Sequence, residues 1–126
     1  MTKTIYIVSG NISDYDGSYS WNVKAFTDRE RADIFAMLLN DELSSFLKLR
    51  KESYEKINRE RTLLGNPTQQ AKGESKKKFD ERVGVWSLKC DVIHEKHKVT
   101  FKSQYDPEMS IDDDADYEVN ELVLEE

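Results

Sequence analysis

The chain holds one cysteine, two histidines and two prolines in 126 residues, and each scarcity removes a class of explanation. Cys90 has no second cysteine to join, so the fold is expected to rest on its core alone, in a reducing, cytoplasmic setting. One cysteine with His94 and His97 falls short of a structural zinc set. His94-Glu95-Lys96-His97 reads instead as an exposed turn. Long apolar runs are missing as well: Ile5–Val8, the longest near the N-terminus, is too short for a signal peptide or a membrane span. No membrane partner is expected. Basic residues stop at Lys102. Residues 1–105 carry 19 bases and 15 acids, whereas residues 106–126 carry ten acids and no base.

What is present is a long stretch of helical periodicity. Thr27 followed by Glu30 matches a capping box, in which hydroxyl and carboxylate satisfy free amides of the first turn. Ala32, Phe35, Ala36, Leu39, Leu43, Phe46 and Leu47 then recur on one face. The stripe thins through Tyr54, Ile57 and Leu64, and Gly65-Asn66-Pro67 supplies a stop. From Lys48 to Arg61 charges dominate, with Glu52–Lys56 and Glu55–Arg59 in the favourable i,i+4 order. One helix over 28–64 would span roughly 55 Å, more than the diameter of about 35 Å expected for a compact domain of this size. Three outcomes are open: a projecting arm, a break near Ser44–Ser45 or Arg50, or pairing with a second helix.

Shorter elements flank that helix. Ile5–Val8 reads as a central first strand, residues 9–20 as turn chemistry, and Ser20–Phe26 as a half-buried second strand, which together make a hairpin with a long loop. Residues 65–78 read as a mobile linker, and Lys76–Val83 as a short helix ended by Gly84. Trp86, Leu88, Cys90 and Val92 share a period-two face, as do Val99, Phe101 and Tyr105, so Val85–Tyr105 is expected to be a hairpin. Tyr117–Leu124 is expected to be the last strand, with a bulge near Asn120. The predicted fold is α+β and a single domain over 1–126. It is a mainly antiparallel sheet of about five strands, with one long helix and a short second helix packed on one face.

The opening TIYIVSGNISDYDGSYSWNVKAFTDRERADIFAMLL and the closing DYEVNELVLEE resemble small uncharacterised α+β proteins encoded by phages and prophages. The resemblance covers the N-terminal hairpin and helix and the acidic C-terminal strand. It implies an accessory protein of a mobile element, and it brings no activity, cofactor or catalytic residue with it.

The residues themselves point the same way. Asp112, Asp114 and Asp116 imitate the opening of a calcium loop, but Tyr117 stands where the loop needs glycine and Val123 where it needs glutamate. Asp14 and Asp16 with Tyr15 and Tyr19 could serve a small hydrolase or transferase only if a pocket shifted their pKa values; a turn-forming role fits the sequence better. Lys76-Lys77-Lys78 sits among Glu74, Asp80 and Glu81 and reads as a solvated linker face, so direct nucleic-acid binding is not expected. The acidic C-terminal segment stands apart. Carboxylates fixed along an extended segment present a phosphate-like field to a basic surface. The expected function is that of a non-enzymatic binding protein without cofactor or metal. It would occupy the basic surface of a host nucleic-acid-handling or defence protein through Asp112, Asp113, Asp114, Asp116 and Glu118, with the exposed half of the long helix as a second contact. The alternative is an oligomerisation module, a homodimer self-associating through Tyr54, Ile57 and Leu64 of the long helix.

Overall fold

The computed structural model describes residues 2–14, 17–112 and 114–125, and of Asp14 the backbone only. Its elements run in the order β1 (Thr2–Asp14), β2 (Gly17–Phe26), α1 (Arg29–Leu64), α2 (Lys76–Lys96) and β3 (Ala115–Glu125). The fold is α+β. Its chain separates into two compact units, one formed by residues 1–47 and 101–126, the other by residues 48–100.

In the first unit the sheet is antiparallel with three strands, not five, in the order β2-β1-β3. The central place expected of the first strand is borne out, and so is the hairpin between the first two. Residues 9–14 and 17–20 do not form a long loop, however. Pairing continues from Ser9↔Asn22 to Asp14↔Gly17, because serine and asparagine side chains can bond across a ladder as well as within a turn. The Ser9 hydroxyl donates to the Asn22 Oδ1 at 3.1 Å. The expected bulge near Asn120 is absent: β3 pairs with β1 without interruption from Ala115 to Glu125, and the irregularity lies in the other pairing, at Val8/Ser9.

Alternation along β1 and β3 puts Val8, Gly10, Tyr117 and Val119 on one face, and α1 covers that face with Ala32, Ala36, Leu39 and Leu43. Val8, Tyr117 and the four helix residues form the buried core together with Trp21, and Val119 packs against it partly buried. Trp21 lies so close over Gly10 that any side chain at position 10 would collide with the indole ring. The helix begins one residue later than the predicted box requires. Asp28 is the cap: its Oδ1 accepts from the Glu30 amide at 2.9 Å, and its carbonyl accepts from the Ala32 amide at 3.2 Å. α1 then runs unbroken for 36 residues, past Ser44–Ser45 and Arg50, to Gly65. Gly65, with φ of 80°, ends it in the left-handed conformation anticipated from the sequence.

The second unit is a pair of helices. The Val85–Tyr105 hairpin does not form, and Gly84 does not end the helix begun at Lys76, which extends to Lys96. The period-two reading loses to a helical one. Phe79, Val83, Trp86, Cys90, Ile93 and His97 recur at spacings of four and three residues and are the buried or half-buried positions, whereas Leu88 and Val92 are exposed. On the C-terminal half of α1 the matching line is Ser53, Ile57, Glu60 and Leu64. The helices run antiparallel, since Ser53 meets His97 while Arg61 meets Trp86. α2 therefore belongs to this unit, and the sheet unit holds α1 alone up to residue 47. Its start at Lys76 places residues 76–78 in helix, and the preceding segment is tied through Arg82, which donates to both Glu74 carboxylate oxygens and to the Gln69 carbonyl.

Candidate functional site

The acidic segment begins at a buried carboxylate. Asp106 is 2 % exposed and accepts from the Trp21 Nε1–H at 2.9 Å, the Tyr117 hydroxyl at 2.6 Å and the Glu108 amide at 2.9 Å. Three donors replace the water it has lost, which is what a buried charge requires. Burial first, and then the bond to Asp106, hold the Tyr117 hydroxyl far above the usual phenol range, so it stays a donor at any physiological pH. The stretch before Asp106 is fixed from α1. Glu42 accepts from the Ser103 hydroxyl and, at 3.1 Å, from the Gln104 amide.

β3 is held from its other side as well. Asn40 of α1 donates from Nδ2 to the Tyr117 carbonyl and accepts at Oδ1 from the Tyr117 amide, both at 3.0 Å. One side-chain amide thus satisfies the backbone groups that an edge strand would leave open at that residue. Arg29 adds a bond to Glu121 at 2.7 Å.

Because Tyr117 and Val119 point into the core, Asp116 and Glu118 project from the opposite face, and both are exposed. Alternate residues on a strand lie about 6.7 Å apart, close to the spacing of successive phosphates along a nucleic-acid strand. Asp112 and Asp114 are exposed in the segment leading into the strand. Asp113 lies outside the described residues, as do Tyr15, Asp16 and the Asp14 side chain of the proposed hydrolase loop. The structure thus brings Asp116 and Glu118 onto one surface, with Asp112 and Asp114 next to them in sequence.

The remaining candidates lie in the helical unit. Tyr54 is exposed, with the Arg50 guanidinium over its ring, but Ile57 is buried at 5 % exposure within its own unit. Of the self-association line through Tyr54, Ile57 and Leu64, the central residue is therefore not exposed on its unit. Cys90 is buried. His97 is no exposed turn residue: it contacts Glu60, as does Lys96 at 2.8 Å, and these two hydrogen bonds hold the Glu60 carboxyl below its usual range. Among the described residues no group of three or more His, Cys, Asp or Glu is placed to hold a metal ion, and no helix is long and apolar enough to cross a membrane.

Sequence reasoning missed Asp106, Asn40 and Glu42, the residues that hold the acidic segment in place. In the sequence Asp106 is only one of the ten acids of residues 106–126, and nothing local distinguishes an aspartate that will be buried by Trp21, 85 residues away. No protein-family model matches the chain, and no curated protein or solved structure matches it.

Proposed function

We propose that this chain is a non-enzymatic binding protein of phage or mobile-element origin, which occupies a basic surface on a host protein that handles nucleic acid. The observation that carries this reading is the exposure of Asp116 and Glu118 at phosphate-like spacing on a strand tied down at Tyr117 from two directions. Carboxylates held in position are desolvated on binding without a further cost of ordering their backbone, which is the advantage of a preformed site over a floating acidic tail. The charge of the unit supports it: residues 1–47 and 101–126 carry 17 acids against five bases, a net charge of −12. A field of that sign repels nucleic acid and draws in the grooves built to hold it.

The test is capture from host lysate at low and high salt, compared between the native chain and one carrying Asp112→Asn, Asp114→Asn, Asp116→Asn and Glu118→Gln. Exposed charge pairs contribute a few tenths of a kcal/mol to about 1 kcal/mol each, so the four changes together are expected to weaken partner binding tenfold or more. Binding that is indifferent both to salt and to the four substitutions would refute the reading.

A further inference from the structure

The helical unit holds 14 bases and eight acids, and folding sorts them by side. Two cavities, of about 510 and about 440 Å³, open where α1 ends and share Gly65, Asn66 and Trp86. Arg82 and Lys89 line the first and Arg61 the second, and among the described residues no acid lines either. From Arg61 the same side of α1 leads back seven residues to Tyr54 and eleven to Arg50. From Lys89 the same side of α2 leads back seven residues to Arg82 and eleven to Lys78. Each row is about 16 Å long. The Arg50 and Arg61 guanidinium groups lie over the Tyr54 and Trp86 rings. The eight acids keep off this side. Glu55, Glu81 and Glu95 fall on the backs of their helices, and Glu52, Asp80 and Asp91 on the opposite flanks. Glu60 sits in the seam, held by Lys96 and His97, and Glu74 is held by Arg82. Trp86 adds an independent observation: its buried Nε1–H has no hydrogen-bond partner, a costly state that an oxygen of a bound ligand would relieve.

We propose that this side of the helical pair binds a single strand of nucleic acid, its phosphates along the two basic rows and its bases against Tyr54 and the mouth at Trp86. Along the chain, Lys76-Lys77-Lys78 is hemmed in by Glu74, Asp80 and Glu81, which argued against such binding. Folding α2 back on α1 turns Asp80 and Glu81 to other sides, ties Glu74 to Arg82, and sets a second basic row with its aromatic rings beside Lys78. A positive groove interleaved with aromatic rings is what a single strand requires, because its bases are free to stack and a duplex keeps them inside. The carbonyl end of α1 carries partial negative charge at this mouth, and Arg61 in the last turn offsets it. Arg82, already engaged by Glu74, forms wall more than free charge, so Arg61, Lys78 and Lys89 carry most of the attraction. This surface is separate from Asp112–Glu118, and the proposal stands or falls independently of the partner reading above.

The test is fluorescence anisotropy of a labelled oligothymidylate of about twelve nucleotides with the full chain, from about 50 to about 200 mM salt. Binding is expected at low salt with a Kd on the order of 10⁻⁴ to 10⁻⁶ M, weakening as salt rises. Lys78→Gln with Lys89→Gln, both at exposed positions, should weaken it about fivefold or more and flatten its log–log salt dependence by about 1.4, since each phosphate contact contributes about 0.7. Lys56→Gln with Arg59→Gln removes the same charge from the opposite flank of α1 and should change affinity by no more than about twofold. Tyr54→Ala should weaken binding about fivefold with the salt dependence unchanged, helix content confirming the fold of each variant. A duplex of the same length should compete about fivefold less well. Neutralising Asp112, Asp114, Asp116 and Glu118 should leave the strand bound at least as tightly. No binding at the lowest salt, equal weakening by the two paired variants, a duplex held as tightly as the strand, or loss of binding on neutralising the acidic segment would overturn the proposal.

Discussion

The two units solve the problem of closure in opposite ways. The sheet unit carries a net charge of −12 and still buries a carboxylate, Asp106, which becomes the junction between β2, β3 and the segment before it. The helical unit carries 14 bases against eight acids, a net +6, and closes around Ile57, Cys90 and Ser53, with its ion pairs at the margin. In the first, a polar network ties β2 and β3 to one buried residue, and in the second the buried positions follow a four-and-three spacing. A buried network is intolerant of losing one member, whereas a small apolar seam weakens in proportion to what is removed.

That contrast sets the expected order of damage. Asp106→Ala leaves the Trp21 N–H and the Tyr117 hydroxyl without their acceptor, and should cost about 3–5 kcal/mol. Hydrogen exchange should then show protection lost across β1, β2 and β3 and largely kept at Ile57 and Cys90. Equal loss in both units would mean that they do not behave as separate units. Ile57→Ala should cost about 2–4 kcal/mol by opening a cavity, with the loss confined to α2 and the facing half of α1.

The smallest effect is a difference in pH response. Folding holds the proton on Tyr117, whose ordinary value is 10.0, so its contribution is complete below pH 10 and is lost as the pH rises above it. Glu60, with an ordinary value of 4.5, is held charged by Lys96 and His97, so its contribution is present above that value and fades as the pH falls through the lowered one. Tyrosine absorbance and exchange protection should therefore show the sheet unit yielding first to alkali and the helical unit weakening first in acid. The reverse order would contradict both assignments.

How much of this was legible from sequence follows the same division. The long helix, its glycine stop, the first hairpin and the acidic last strand were read correctly, because each is announced by local chemistry: a stripe, a left-handed residue, an alternation. The segment from Trp86 to Val92 was misread because its apolar residues satisfy both a period of two and a spacing of four and three. Only the facing helix, with Ile57 and Ser53, decides between them. The cap at Asp28 instead of Thr27 is a shift of one residue that two adjacent capping side chains allow. Asp106 was illegible for a different reason. Its burial depends on Trp21 and Tyr117 arriving from β2 and β3, and no periodicity records a contact made across the fold.

The central claim is that the acidic segment is a preformed docking surface and not merely a source of negative charge. An amide NMR titration with an arginine-rich peptide tests it most directly. The expected result is a set of shifts concentrated at Asp112, Asp114, Asp116 and Glu118 and at their strand neighbours Ser9 and Asn11, abolished by the four neutral substitutions. Shifts spread evenly over every acid of the unit, Glu30, Asp33, Asp41 and Glu125 included, and surviving those substitutions would contradict it.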